Sequence, residues 1–249
     1  YFMVDGIADQ SITGAIEYEE EYYKVDSGKI DTSYNGLWTC NNTTYYLVNG
    51  HTNKNMTGIV KYGNDWYFVN NGIVLTCDTL IYYNGQWHCI HNGKIDDNYT
   101  GLVDFGGKTY YVMNGTVNTS SNGLTYINGE WCYLVNGVLD TNYNSLISYN
   151  GTWYYVDHGK INWKYTNLVK YYRTWYYVEN GQINWNKNTL CQVNGSGIWY
   201  YVSNGVINWN YQGLAYCDNN WYYIENGIYQ SSYSSLVLYN GGWYYVKNG

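Results

Sequence analysis

Short apolar and aromatic runs separated by Asn-Gly dipeptides recur along this chain about every 22 residues. In one clear copy, residues 147–149 are followed by Asn150-Gly151 and then by the aromatic run at residues 152–156. Asn-Gly is the preferred pair for the tight type I′ turn of a β-hairpin. A second Asn-Gly follows the aromatic run, as at Asn204-Gly205. Each copy therefore predicts two paired strands and a short third strand, and no segment has a helical period.

A fixed period of this length predicts stacked units rather than a globular fold with one special site. The fold class we expect is all-β, a β-hairpin solenoid of about eleven stacked repeats of about 22 residues, and residues 1–249 are predicted to form a single repeat array. Both ends of the sequence cut a repeat, since it opens at Tyr1-Phe2-Met3-Val4-Asp5-Gly6, so we expect a piece of a longer array. The units are predicted to begin at Gly14, Gly36, Gly58, Thr79, Gly101, Gly123, Ser145, Asn167, Thr189, Gly213 and Ser235.

The hairpin register predicts which residues share a face of each unit. In the unit that begins at Ser145, Ile147, Tyr149, Tyr154 and Val156 fall on one face with Ile161 of the third strand, and we assign that face to the interior. Ser148, Trp153, Tyr155 and Asn162 fall on the other face. The Ser148 position varies freely between units, as a solvated site does, so we expect the recurrent Trp and the Tyr two residues after it to face a partly wet surface or a groove between hairpins. The varying residues are Glu17, Lys61, Tyr82, Asp104 and Lys170.

The composition narrows the classes of partner. The chain has 36 Tyr and 12 Trp but only 3 Phe, which favours aromatic side chains at half-wet contact surfaces over simple core building. The net charge of −7 argues against nucleic acid, which requires a basic stripe, and against docking on an anionic membrane. No apolar run is long enough for membrane insertion. We expect no cofactor.

The six cysteines do not recur at one position in neighbouring units. A disulfide framework built on a repeat would place them at recurrent positions. We therefore expect unpaired thiols that act as small buried side chains. The cysteines are Cys40, Cys77, Cys89, Cys132, Cys191 and Cys217.

The phrase Asn-Gly-x-Trp-Tyr-Tyr-Val-x-Asn-Gly resembles the cell-wall-binding repeats of Gram-positive surface proteins, of the choline-binding and glucan-binding type, over essentially the whole chain. The resemblance implies a β-hairpin solenoid with ligand sites between successive hairpins, on a secreted or surface-attached protein. In the choline-binding version, a Gly-Trp opens the unit and its Trp forms one wall of a cage for the quaternary ammonium. Here that position holds Leu in most units, for example Leu146, Leu168 and Leu214, so one wall of the cage is missing.

The recurrent Trp and its Tyr partner are the candidate ligand-binding residues. We predict aromatic platforms on which sugar rings stack, while nearby Asn and Tyr groups bind the sugar hydroxyls. The alternative is that both residues only join one hairpin to the next. Three adjacent units carry another Trp in the predicted third strand, at Trp163, Trp185 and Trp209, which either line a different groove or fill the interior. The predicted platform residues are Trp131, Tyr133, Trp153, Tyr155, Trp175, Tyr177, Trp199, Tyr201, Trp221, Tyr223, Trp243 and Tyr245.

The sequence contains no motif for catalysis, and we expect a non-enzymatic module. His88 and His91 fall on opposite faces of a strand, which disfavours a metal site. The expected partner is a glycan or cell-wall polymer. Two rival functions stay open: a structural stalk, adhesin or filament segment whose aromatics only pack the repeats, and a surface that binds a host protein.

Overall fold

The computed structural model describes residues 3–4, 7–76, 78–193 and 195–249, and every regular element in them is a β-strand. From residue 14 onward, the described residues form eleven successive antiparallel hairpins, and each predicted unit start is the first residue of a hairpin. The β-hairpin solenoid predicted from the sequence is thus confirmed. The predicted partial unit at residues 1–6 and Cys77 lie wholly or partly outside the described residues.

Each unit contains a first, a second and a short third strand. An additional pair, Met3–Val4 and Ile7–Ala8, precedes the first hairpin. The first strands are Gly14–Tyr18, Gly36–Cys40, Gly58–Tyr62, Thr79–Tyr83, Gly101–Phe105, Gly123–Ile127, Ser145–Tyr149, Asn167–Tyr171, Thr189–Gln192, Gly213–Cys217 and Ser235–Tyr239. The second strands are Glu21–Asp26, Thr43–Val48, Asp65–Asn70, Gln86–His91, Lys108–Met113, Glu130–Val135, Thr152–Asp157, Thr174–Glu179, Trp199–Ser203, Asn220–Glu225 and Gly242–Val246. The third strands are Lys29–Ile30, His51–Thr52, Ile73–Val74, Lys94–Ile95, Thr116–Val117, Val138–Leu139, Lys160–Ile161, Gln182–Ile183, Val206–Ile207 and Ile228–Tyr229.

The chain groups into two compact bodies, residues 1–121 with 136–138, and residues 122–135 with 139–249. In the first body, the third strand at Val138 pairs with Tyr110 of the preceding unit. In the second body, Gln182 pairs with Tyr154 in the same way. The same pairing rule therefore operates inside each body. Among the described residues, none belongs to a helix with the length and hydrophobicity required to cross a bilayer.

Backbone hydrogen bonds of one tyrosine join neighbouring units. The N–H of Tyr155 donates to the carbonyl of Gly181 in the next unit at 2.9 Å, and the carbonyl of Tyr155 accepts from the N–H of Asn162 at 3.0 Å. The first body repeats this pattern, since Tyr111 donates to Gly137 at 2.8 Å. The strand edge left free by each hairpin is therefore covered by the third strands, which satisfies its backbone groups.

The first and the second turn of a unit use glycine for different reasons, as Asn150-Gly151 and, in the next unit, Asn180-Gly181 show. Both have the left-handed angles of type I′ turns, with φ of 48° and 79° at Asn150 and Gly151, and 50° and 77° at Asn180 and Gly181. A Cβ on Gly151, in the first turn, would meet no atom within 4 Å. A Cβ on Gly181, in the second turn, would lie 2.7 Å from the carbonyl oxygen of Asn162 in the preceding unit. The first glycine relieves backbone strain alone, whereas the second also permits the units to stack.

The core consists of small clusters between successive hairpins. Val169, Val178 and Ile183 of one unit bury their side chains against Leu146 of the preceding unit, whose side chain is 0% exposed. Leu168 and Tyr177 then pack against Val202 and Ile207 of the following unit. Both faces of a hairpin therefore contribute to cores. The sequence analysis placed Val156 and Ile161 on the interior face, and both are buried. It placed the Tyr two residues after the recurrent Trp on a partly wet surface or in a groove between hairpins, and the wet surface is wrong for Tyr177, which is buried against the next hairpin.

Candidate functional site

The recurrent Trp lies near the first turn of its hairpin. Trp153 pairs across the hairpin with Ser148, which is exposed. Its indole packs on Tyr171 of the next unit with ring centroids 5.2 Å apart, and Trp221 packs on Tyr239 at 5.0 Å. Trp221 nevertheless remains 50% exposed. Each of these indoles thus has part of its surface against the next hairpin and part open to solvent.

The exposure of the predicted platforms varies along the second body. Trp131, Trp153 and Trp175 are half-buried, while Trp199, Trp221 and Trp243 are exposed. No side chain in this set is fully enclosed between hairpins. The structure therefore brings the six predicted indoles to equivalent places in successive units, and their role in binding stays a prediction.

The Tyr two residues after the Trp occupies a different environment. Tyr177, Tyr201 and Tyr223 are buried, so the predicted wet face is wrong for these three residues. Tyr133 and Tyr155 are half-buried, and only Tyr245, in the last hairpin, is exposed. Four of these rings, those of Tyr133, Tyr155, Tyr201 and Tyr223, pack on a second tyrosine in the loop after the third strand, as Tyr133 does on Tyr143 with centroids 4.0 Å apart. Over the ring of Tyr177 lies instead the ammonium of Lys187, 5.5 Å from the ring centroid. These tyrosines are placed to join units.

The loop tyrosine is held by burial and by one hydrogen bond. The hydroxyl of Tyr165 donates to the carbonyl of Leu168 at 3.1 Å, and Tyr143 donates to Leu146 at 3.0 Å. Burial, which disfavours the phenolate, raises the pKa of both Tyr143 and Tyr165 to about 12. These two phenols are therefore neutral structural groups at ordinary pH.

The Leu that replaces the cage Trp fills the space between hairpins. Leu146 is 0% exposed and Leu168 is 2% exposed, and each packs into the cluster formed with the next unit. A buried aliphatic side chain at this position supplies no aromatic wall for a cation. The place of the cage Trp, inferred from the sequence to be lost, is therefore occupied by a buried Leu side chain.

The third strands end two residues before Trp163, Trp185 and Trp209, so the prediction that these Trp residues lie in the third strand is wrong. Their side chains are 46%, 46% and 43% exposed. Of the two alternatives that the sequence left open, the interior location is therefore excluded. Each indole meets a second-strand tyrosine edge-on, as Trp163 meets Tyr154 with centroids 5.8 Å apart and planes at 81°. The loop is fixed by the preceding Asn, whose side-chain oxygen accepts the backbone N–H two residues later, as Asn184 does from Asn186 at 2.9 Å.

One pair of charged groups, Glu179 and Lys187, lies near the loop of Trp185. The amide of Asn184 donates to Glu179 at 2.6 Å, and Lys187 lies 3.3 Å from the other carboxylate oxygen. The hydrogen bond from Asn184, followed by that from Lys187, lowers the pKa of Glu179. The site thus offers oriented amides and a compensated carboxylate beside the exposed indoles.

The other candidate groups do not converge. In the part of the chain that the structure describes, no three His, Cys, Asp or Glu side chains are grouped to hold a metal ion. His91 lies 2.8 Å from Asp78, an ordinary surface pair. The five described cysteines are unpaired, and Cys89, Cys132 and Cys217 are buried. Burial raises the pKa of the Cys89 thiol to about 11.

Comparison with known proteins gives both a family and structural neighbours. No curated protein sequence is significantly similar to the chain. Alternansucrase in complex with isomaltononaose is 17% identical, with a TM-score of 0.42, over 90% of this chain and 17% of that one. Choline binding protein F from Streptococcus pneumoniae is 24% identical, with a TM-score of 0.28, over 75% of this chain and 60% of that one. The modular autolysin LytC from Streptococcus pneumoniae is 17% identical, with a TM-score of 0.29, over 85% of this chain and 51% of that one.

The chain spans less than two thirds of the length of each of these three proteins. The family model of the choline-binding repeat matches eight segments, fewer than the eleven hairpins seen here, yet together these segments cover more than half of the chain. They are residues 55–75, 78–96, 98–118, 142–162, 164–184, 186–208, 210–228 and 232–249. The chain belongs to the choline-binding repeat family.

Proposed function

We propose that this array is a non-catalytic repeat module that binds a carbohydrate or cell-wall polymer, and that it belongs to a secreted or surface-attached bacterial protein. Membership of the choline-binding repeat family supports the class of function. The observation that carries the proposal is the series of incompletely buried indoles from Trp131 to Trp243, one in each successive unit.

An indole that is half open offers a flat apolar surface to the face of a sugar ring. Equivalent platforms in successive units match a ligand that is itself a repeating polymer. Individual contacts of this kind are weak, but sites joined on one scaffold bind one polymer with a much higher apparent affinity. The buried tyrosines Tyr177, Tyr201 and Tyr223 hold the units in register and do not contact the ligand.

The buried Leu favours a glycan over choline as the ligand of these grooves. A quaternary ammonium needs several aromatic faces around it. The Leu146 and Leu168 side chains fill the place of one such face. Stacking of a sugar on a single platform has no such requirement.

A structural role is the second candidate, and the stacking of Trp153 on Tyr171 favours it. In that case the module is a stalk, adhesin or filament segment whose aromatics only join units. A surface for a host protein is a further form of the binding function. Neither alternative requires sugar recognition.

An array of glycans and cell-wall polysaccharides, probed with the labelled chain and with added free choline as competitor, tests the proposal. We expect binding to one class of polysaccharide that choline does not displace. Absence of binding to every glycan would favour the structural role, and complete displacement by choline would assign the grooves to the ammonium.

A further inference from the structure

We propose a second glycan-binding surface, distinct from the recurrent Trp positions, formed by Trp163, Trp185 and Trp209 and suited to an uncharged hexose polymer. We call it the loop-Trp surface. It rests on the proposed carbohydrate-binding function and adds a location and a ligand class to it.

The first argument is that these indoles are not needed for the fold. The same position in the other units holds a small or charged polar residue, and those units form the same hairpins and third strands. The indoles are also close to half exposed, so a large share of their apolar surface is not used in packing. Exposing large indoles that stacking does not require points to a contact with something outside the chain. The residues at this position elsewhere are Thr32, Lys54, Thr76, Asp97, Thr119, Thr141 and Ser231.

The second argument is that the indoles are held rigidly. The Asn before each of them closes its loop, as the N–H of Asn210 donates to the side chain of Asn208 at 3.2 Å. The edge-on tyrosine supports the ring, with Trp185 and Tyr176 at 5.8 Å and Trp209 and Tyr200 at 5.4 Å. A platform that is already fixed loses little side-chain entropy when a ligand binds.

The third argument is the groove between the first two indoles. A cavity of about 470 Å³ is lined by Trp163 and Trp185 together with polar side chains that include Glu179, Gln182, Asn184 and Asn186. Its volume falls in the range of small-molecule sites. Amide and carboxylate groups next to a flat aromatic ring are the donors and acceptors that sugar hydroxyls require.

The charge of the groove favours an uncharged polymer. Glu179 is paired with Lys187 at 3.3 Å, with exposed fractions of 33% and 28%, so the pair carries no net charge. Beyond the two indoles, the groove is lined by amide, carboxylate and aliphatic groups and by no further aromatic ring, so it does not surround an ammonium with aromatic faces. Successive indoles in three adjacent units match a chain of sugar rings.

Affinity electrophoresis of the full chain in gels that contain dextran, yeast mannan or barley β-glucan tests the proposal. The variant Trp163→Thr/Trp185→Thr/Trp209→Thr carries the residue found at this position in other units and is expected to fold normally. We expect retardation of the natural chain by at least one of these polymers, and a loss of affinity of about a hundredfold in the triple variant, because three linked sites are removed at once. The melting temperature should change little.

A gain of affinity gives an independent check that does not depend on the folding of the triple variant. Thr141→Trp places an indole in the unit that precedes Trp163 and should raise the affinity by several fold. Asn142→Trp adds an indole one residue later in the same loop and should not. Equal retardation of the triple variant and the natural chain, no gain with Thr141→Trp, or no retardation by any of the three polymers would overturn the proposal. Binding that survives the triple substitution would leave the proposed function intact at the recurrent Trp positions, whereas a negative glycan array would remove both.

Discussion

The ring of Tyr155 lies on the ring of Tyr165 with centroids 4.1 Å apart, and Tyr165 in turn donates its hydroxyl proton to Leu168 in the next unit. One predicted ligand-binding tyrosine is thereby committed to joining two units. Its neighbour Trp153 keeps part of its indole open. Within one strand, Tyr155 therefore serves packing and Trp153, we propose, serves recognition. Substitutions at equivalent positions can separate the two roles.

Tyr177→Ala should reduce stability, whereas Trp175→Ala should reduce binding. Tyr177 is 8% exposed, and its removal leaves a cavity between two hairpins, which costs about 3 kcal/mol. Trp175 is only half-buried, and the loss of one stacking platform should lower polysaccharide affinity about threefold. Thermal unfolding followed by circular dichroism, together with affinity electrophoresis, measures both effects.

The combined variant Trp153→Ala/Trp175→Ala/Trp199→Ala extends that test. Its affinity should fall far more than that of any single variant, because neighbouring sites act together on one polymer. If the triple variant unfolds instead of losing affinity, the recurrent indoles serve packing and the structural role is favoured.

Gly181→Ala should destabilise the array more than Gly151→Ala does. Both positions have positive φ, so an alanine in either costs about 1 to 2 kcal/mol of backbone strain. At Gly181 the new methyl group also meets the carbonyl oxygen of Asn162, so the hydrogen bond from Tyr155 to Gly181 should break and the junction should loosen. Hydrogen exchange of the Tyr155 amide reports this directly, and equal losses in the two variants would contradict the distinction.

Alkaline pH should weaken the fold through the buried loop tyrosines. The pKa of Tyr165 is raised to about 12 in the folded chain, against about 10 for a free tyrosine. Between these values the unfolded chain loses the proton and the folded chain keeps it, so the unfolded state binds fewer protons and stability falls as pH rises. The stabilisation is complete below pH about 10 and is lost as the pH approaches about 12.

Urea unfolding at pH 8 and pH 11 measures this effect. Tyr143→Phe/Tyr165→Phe should lower stability at pH 8 by about 1 kcal/mol for each lost hydrogen bond, but should reduce the difference between the two pH values. Tyr126→Phe, at a side chain that is 60% exposed, serves as the control and should leave that difference unchanged. A pH difference that is the same in all three proteins would contradict the assignment.

The thiols should be free but unequally reactive. Alkylation of the denatured chain without reductant should modify all six cysteines. In the native chain at pH 8, Cys89 should react slowly, because it is 0% exposed and because burial raises its pKa to about 11, which leaves little thiolate. Peptide mass mapping gives both results, and a disulfide that survives in the denatured chain would disprove the first.

The two turn glycines show which features of the fold follow from local sequence. The Asn-Gly pairs at Asn150-Gly151 and Asn180-Gly181 predict type I′ turns, and both have the left-handed φ values of such turns. Turn type depends on the φ preferences of two adjacent residues, so it is a local property. The start of every hairpin and the pairing across it follow from the same local rules. The sequence did not show that the second glycine, and not the first, lies against the backbone of the preceding unit, because that contact depends on how the units stack.

The burial of Leu146 and Tyr177 was decided only by tertiary structure. Alternation along a strand separates two faces, but it does not say which of them another hairpin covers, and here successive hairpins cover both. The same uncertainty left Trp163, Trp185 and Trp209 between a groove and the interior. The sequence by itself determined the repeat, the turns and the strands, because these depend on neighbours in the chain. The open and closed surfaces were decided by contacts between units, which no single unit specifies.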